Sequence, residues 1–395
     1  MSGHWRTVPI GEIGEVFDGP HATPKSTKTA TSGPVFLGIS SIENGRLDLA
    51  KSAHLSEEDF AQWTRRVTPR ARDVVFSYET RIGEAAIVPA GLRCCLGRRL
   101  ALIRPNTQLV DPQFLLFAYL GPEFQEEIRQ RTVHGSTVDR IMLKEFPEFP
   151  LRLPPLEEQR GIAATLGALD DKIDSNRRLQ HLSQELLRAT VNAELQASFP
   201  DDMKLGDLCF LVKDKVAPEQ MSAEDAYIGL EHMPRGSIAL DSWDSAEDVG
   251  SQKAAFEQND VLFGKLRPYF RKVGIAPLDG VCSTDILVLR PYETIDLALV
   301  ATVASSQELI DSVSASATGT RMPRASWKDL SEWPVPALTL GQREGLSERC
   351  NPLIERMNQL TDENQKLAAL RDALLPELLS GRIRVPEAAE VVSSA

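Results

Sequence analysis

The chain has 395 residues, 42% hydrophobic and 25% charged, with a formal net charge of −12. This is the composition of an ordinary soluble globular protein with room for two or three domains. Apolar runs such as Leu297–Ala304 are far too short to cross a bilayer, the N-terminus lacks the basic and apolar segments of a secretory signal, and five scattered cysteines without a C-x-x-C pair read as reduced thiols of a cytoplasmic protein rather than a disulfide frame or zinc site.

In chain order, the first 154 residues carry short apolar runs bounded by Gly, Pro, Asn or Asp: 34–39, 74–77, 85–88 and 100–103. These predict strands, followed by short helices over 111–120 and 123–131. Residues 153–195 then switch period. Pro155 suits a first helical turn, and Ile162, Leu166, Leu169, Ile173, Leu179, Leu182, Leu186 and Ala189 are expected on one apolar stripe. A helix of about 40 residues spans roughly 60 Å, and so narrow a stripe calls for a partner helix along its length. A second globule follows, with strands expected at 227–230, 261–263 and 285–289 and a helix over 295–313. The span 342–380 repeats the long-helix pattern with Leu346, Cys350, Leu353, Met357, Leu360, Asn364 and Leu367 at heptad steps. Pro376 should kink or weaken its last turns, and Gly381 is placed to cap it. Asn176 and Asn364 fall on or near the two seams, where a buried amide fixes register. The domains expected are therefore 1–154, a helix over 155–199, a globule over 200–340, a helix over 341–382, and a disordered tail over 383–395.

The two halves repeat. Phe36-Leu37-Gly38-Ile39 matches Tyr227-Ile228-Gly229-Leu230, Asp73-Val74-Val75-Phe76 matches Asp260-Val261-Leu262-Phe263, and Leu102-Ile103-Arg104-Pro105 matches Val288-Leu289-Arg290-Pro291. His134-Gly135-Ser136 then matches Thr318-Gly319-Thr320, and Gln159-Arg160 matches Gln342-Arg343, with an offset that drifts in one direction as loop deletions would make it. The expected fold is α+β: two similar globules, each of strands with a few helices, separated by two long antiparallel coiled-coil helices with an internal pseudo-two-fold.

Chemistry is searched for and mostly not found. There is no phosphate-binding G-x-x-x-x-G-K-[ST] loop, and the closest approach to an aminomethylase motif, Asn351-Pro352-Leu353-Ile354, lies in the helix seam. Asp201, Asp202 and Lys204 are too crowded for a nuclease centre. His134 reads as a loop residue rather than a catalyst. Charge is uneven: residues 1–155 carry 19 Lys and Arg against 18 Asp and Glu, while residues 204–340 carry 13 against 20. Within the acidic second globule, Lys265, Arg267, Tyr269, Arg271 and Lys272 crowd together, and Thr320, Arg321, Arg324 and Lys328 follow a Gly turn. Basic residues interleaved with aromatics fit nucleic acid, because guanidinium holds guanine bidentately and ammonium holds phosphate. Tyr78, Arg81, His134, Ser136, Thr137 and Arg140 occupy the corresponding places in the first globule, beside a run at Arg65, Arg66, Arg70 and Arg72. A solvated face or internal ion pairs would produce the same letters.

The stretch LPPLEEQRGIAATLGALDDKIDSNRRLQ closely resembles the first conserved helix of the specificity subunits of type I restriction-modification enzymes, and LLPELLSGRIRV is similar to the end of their second. DVLFGKLRPYFRKVGIAPLDGVCSTDILVLRP and TGTRMPRASWKDL look like one variety of their target recognition domain, DVVFSYETRIGEAAIV with GSTVDRI like another. The pattern degenerates at LTLGQR, and GSTVDRI lacks the family's Asn near Arg140. The resemblance implies a DNA-reading subunit without catalysis of its own. Each globule would read one half of a bipartite site in double-stranded DNA, and the helices would set the spacer. Two methyltransferase subunits carrying S-adenosylmethionine would dock for adenine-N6 methylation, with motor-nuclease subunits as further partners. No cofactor is expected in this chain. The competing readings are a coiled-coil scaffold with two protein-binding globules, and an enzyme with an unrecognised site.

Overall fold

A computed structural model of the chain describes residues 5–135, 138–197, 202–316 and 323–393. They form two compact units, Met1–Asp171 with Leu367–Ala395, and Lys172–Lys366.

The first unit is built on an antiparallel sheet of four strands in the order Gly14–Asp18, Leu100–Pro105, Val74–Ser77, Ala85–Ile87. Its central strands are apolar on both faces because both faces are covered. Helices Pro112–Leu120 and Pro122–Arg131 cover one of them, the former capped by the Asp111 carboxylate accepting from the amides of Gln113 and Phe114. Phe76 stacks on Phe146 with centroids 4.5 Å apart, at the centre of an aromatic cluster that includes Tyr119 and Phe124. A smaller sheet pairs Val35–Leu37 in parallel with Cys94–Leu96, and Arg6–Pro9 closes the globule against Pro150–Leu153.

The second unit repeats this plan. Its main sheet runs Cys209–Leu211, Ile286–Pro291, Val261–Gly264, Val273–Ile275, all antiparallel. Ala226–Ile228 pairs in parallel with Gly280–Cys282, and Asp202–Lys204 closes against Pro334–Pro336. The helix expected over 295–313 is two, Leu297–Ala304 and Gln307–Ser316, matching the pair in the first unit. The repeated letters have a physical cause. Arg104 reaches the buried Asp73 through Nε and Nη2 at 3.1 and 2.8 Å, and Arg290 grips the buried Asp260 in the same way at 2.8 Å twice. Each carboxylate also accepts a backbone amide, of Arg70 and of Glu257, so the desolvated charge is fully partnered.

The long helices are Leu156–Ala197 and Leu340–Ser380. They pair antiparallel within each unit. In the first, Ile162, Leu166 and Leu169 share a core with Leu374 and Leu378, and Arg371 donates to Asp170 at 2.9 Å. Fully burying each of these leucines contributes about 1.5–3 kcal/mol. In the second, Leu187 and Val191 share a core with Leu346, Cys350, Ile354 and Met357, and Arg349 donates to Glu194 at 2.8 Å.

Between these layers the seam departs from the expected stripe. Leu179, Leu182 and Leu186 are 40%, 60% and 56% exposed. The heptad instead continues from Ile173 through Asn176, Gln180 and Ser183 to Leu187, all buried. Asn176 donates to Asn364 at 3.0 Å, as the register expectation required, and Gln180 donates to Thr361 Oγ1 at 2.8 Å and to the Met357 carbonyl at 3.1 Å. A step of six residues from Ile173 to Leu179 breaks the 3-4 spacing, so following the leucines leaves the seam. On the second helix Ile354 is buried where Leu353, half-buried, was expected.

Pro376 does not end the helix, whose last turns are held by Leu374 and Leu378 and finish at Gly381 with φ +73°. The tail expected to be disordered forms a helix at Val385–Ser393. Val385, Ala388 and Val392 recur at helical spacing and pack on the first core, with Val385 against Gly161, and Arg384 donates to Glu158 at 2.9 Å. The five cysteines are buried and unbonded, and burial pushes the Cys94, Cys95, Cys209 and Cys282 thiols up to about 12. Among the described residues no helix is long and apolar enough to cross a membrane.

Candidate nucleic-acid interface

In the second unit the strand Val261–Gly264 ends in the loop 265–272, which returns as Val273–Ile275. The loop is narrow at its base, where Gly264 donates to the Lys272 carbonyl at 2.8 Å and a Cβ on Gly264 would meet Lys272 at 3.1 Å. Its rim is tied on one side: Lys265 N donates to Asp285 O, Arg267 N to Pro323 O, and Ala325 N back to Lys265 O, each at 2.9 Å. Between these ties Arg267 and Arg271 both take left-handed backbone angles, φ +51° and +54°, around the turn Pro268–Phe270. For residues with a Cβ that conformation costs about 1–2 kcal/mol each, and it persists because the surrounding hydrogen bonds impose it.

The strain turns side chains outward. Arg267 and Arg324 are exposed, and Tyr269 is 50% exposed, edge-on to Phe270 with centroids 4.8 Å apart. Arg235 stacks its guanidinium 4.0 Å from the Phe270 centroid, adding a cation from 30 residues upstream. Among the described residues Lys265, Arg267, Arg235, Arg271 and Lys272 have no carboxylate at ion-pair distance, although this globule is acidic overall. Arg324 has one, Asp285 at 3.6 Å. Lys272 differs from its neighbours: its ammonium donates to the Leu230 carbonyl, and burial, then Arg235, hold it below the usual lysine value. It is a strut of the loop. Thr320 and Arg321 lie outside the described residues.

The first unit builds the same loop with different electrostatics. Backbone bridging pairs Glu79 with Arg140, as Leu266 pairs with Arg324. Tyr78, however, is 8% exposed, and burial, then Asp18, raises its hydroxyl to about 12. Arg81 is held by Glu84 at 3.0 Å with Glu43 at 3.8 Å, and Arg99 is clamped by Glu79 at 2.6 Å. Of the basic run, Arg66 lies 3.5 Å from Asp18 and Arg72 3.7 Å from Asp111, while Arg65 and Arg70 are exposed. Arg140 is exposed, as is His134, whose Nδ1 lies 3.2 Å from Asp139; Ser136 and Thr137 lie outside the described residues. Sequence reasoning missed Arg235 because only the fold carries it to Phe270. Among the described residues no group of three or more His, Cys, Asp or Glu side chains could hold a metal ion.

Comparison with known proteins agrees with this architecture. Residues 3–184 match the family model described as the type I restriction modification DNA specificity domain. The chain is 23% identical over 340 residues to the type I restriction enzyme EcoDI specificity subunit of Escherichia coli, covering 70% of this chain and 76% of that one. It is 20% identical to the MjaIX specificity subunit of Methanocaldococcus jannaschii over 97% of this chain and 94% of that one. The crystal structure of the type I restriction-modification system S subunit from M. genitalium shares the fold, with a TM-score of 0.60 at 15% identity over 95% of this chain and 96% of that one. The family match covers residues 3–184, which hold the first globule and much of the first long helix, and the internal repeat extends the same plan to the second globule, so that the chain is similar to type I restriction-modification specificity subunits in both halves.

Proposed function

We propose that each globule reads one half of a bipartite site in double-stranded DNA, the second through Lys265, Arg267, Tyr269, Arg271 and Arg324 and the first around His134 and Arg140, with Arg81 held back by Glu84 and Glu43. The observation that carries this is the loop of cations without carboxylates in an otherwise acidic globule. Concentrating uncompensated charge beside an exposed aromatic raises the free energy of the isolated protein, and phosphates with base edges relieve it. A scaffold that binds proteins has no use for such a cluster. The long helices set the spacer and dock two methyltransferase subunits, which bring S-adenosylmethionine for adenine-N6 methylation in the cytoplasm, with motor-nuclease subunits joining where they are encoded.

Docking is supported by the three exposed leucines on one helix whose seam is filled by amides. Leu182→Glu with Leu186→Glu should leave thermal stability unchanged and abolish co-purification with the methyltransferase subunit. The primary test expresses the chain with that subunit and maps methylated adenines. Two adenines per site at a constant gap are expected, together with DNA affinity that falls steeply with salt. Methylation that follows one contiguous sequence, or salt-independent binding, would overturn the proposal.

A further inference from the structure

Beside the recognition loop the second unit contains a cavity of about 510 Å³ to which no part of the reading above assigns a role. Its walls come from the first long helix, the end of the 265–272 loop, and the junction between helices Leu297–Ala304 and Gln307–Ser316. Two arginines enter it, Arg188 and Arg271. Arg188 donates to the Gly236 carbonyl at 3.0 Å and Arg271 weakly to the Ser305 carbonyl at 3.5 Å. Neither has a carboxylate at ion-pair distance among the described residues. Glu308 is the one carboxylate on the lining, and it is exposed.

Two further observations point the same way. Thr302 is 4% exposed and lines the cavity, yet its Oγ1 has no hydrogen-bond partner, and the Arg271 Nε is likewise buried without one. Buried polar groups left unpaired cost about 1–3 kcal/mol each, so a site that keeps two donors in this state is built for an acceptor from outside. The ten-residue helix Gln307–Ser316 begins at the cavity, where the Ser306 hydroxyl caps the Leu309 amide and its carbonyl accepts from the Ile310 amide, so that the amides of Gln307 and Glu308 are those without an intrahelical acceptor. Burial, and then the neighbouring Arg271, hold the Arg188 guanidinium below its ordinary value, an effect that Glu185 offsets only in part.

We propose that this cavity is a binding site for a phosphate-type oxyanion, held by Arg188, Arg271, the Thr302 hydroxyl and the first turn of helix Gln307–Ser316. An oxyanion supplies acceptors for the orphaned donors and neutralises the arginine pair, which a cation or an apolar ligand cannot do. Because Arg271 is also the last left-handed residue of the recognition loop, occupancy stiffens that loop at its foot. The source is either a free phosphate group or a backbone phosphate of bound DNA. Arg271 is shared with that loop, but Arg188 and Thr302 belong to the cavity alone, so variants at these two test the site independently of which bases the loop reads.

The test uses the full-length chain and inorganic phosphate. Thermal unfolding of the wild type, Arg188→Gln and Thr302→Val is followed in phosphate and in chloride at matched ionic strength, and duplex binding is measured across a salt series. In chloride, Arg188→Gln should be at least as stable as wild type, since one of two like charges is gone and Gln184 still lies 3.5 Å from the Gly236 carbonyl. Phosphate should raise the wild-type Tm above chloride, and that increment should fall by at least half in Arg188→Gln. If the anion is a DNA phosphate, the slope of log affinity against log salt also drops by about one. If it is free phosphate, the slope is unchanged. Should Arg188→Gln not fold, Thr302→Val is read in the same way, its basal stability rising as an unpaired hydroxyl is removed. A variant that folds and changes neither the phosphate increment nor the salt slope would refute the site.

Discussion

The two cationic loops stand on one scaffold and differ in what surrounds their charges. In the second globule Arg267 is thrown outward by a left-handed backbone, with no carboxylate at ion-pair distance among the described residues. In the first, Thr80 holds the corresponding left-handed position, φ +73°, and the next residue, Arg81, lies between Glu84 and Glu43. The same backbone plan therefore yields one loop in which Arg267 is free for an external anion and one in which Arg81 and Arg99 are already paired with carboxylates. An internal ion pair must be broken before its arginine can reach DNA, so equivalence in sequence position is not equivalence in binding.

The largest expected effect probes what the two globules share. Asp73→Asn and Asp260→Asn should each lower stability by roughly 3 kcal/mol, because a half-buried guanidinium loses its bidentate partner. Chemical denaturation of both variants checks this, and a loss confined to one globule would break the structural equivalence. Next comes the contrast itself. Arg267→Ala should relax discrimination at one half-site by about 1–3 kcal/mol, or roughly 5- to 150-fold, whereas Arg81→Ala should change binding by under about 0.5 kcal/mol. Competition binding with duplexes altered in one half-site measures both. Equal losses would show that the ion pairs around Arg81 open in the complex. The smallest effect sharpens the comparison from the other side. Glu84→Gln keeps an acceptor for the Asn44 amide but loosens the hold on Arg81, leaving it only Glu43 at 3.8 Å. It should strengthen binding to non-specific DNA by a few tenths of a kcal/mol to about 1 kcal/mol, with the salt slope steeper by up to one.

Much of the molecule was legible before any coordinates. Strand letters, the repeat and the long helices depend on local periodicity and on recurring residues such as Asp73 with Arg104 and Asp260 with Arg290. These are properties a chain carries along its own length. The heptad register was half legible. Asn176 and Asn364 marked it correctly, but the leucines after Ile173 drew the stripe away from a seam filled by Asn176, Gln180 and Ser183. Hydropathy ranks side chains singly, whereas burial of an amide is decided by whether a partner waits across the interface. That partner, Thr361 or Asn364, is some 180 residues away.

The C-terminal helix was missed for a related reason. Its small residues look polar and loose until Val385 finds Gly161. The sequence by itself determined the class of fold, the duplication and the resemblance to a family, because each rests on short-range pattern. Tertiary structure alone decided which arginines are spent, that Arg235 joins the loop, that Arg188 faces Arg271, and that Leu182 faces outward. Charge and exposure are sums over neighbours in space, and for these residues the deciding neighbours are remote in sequence.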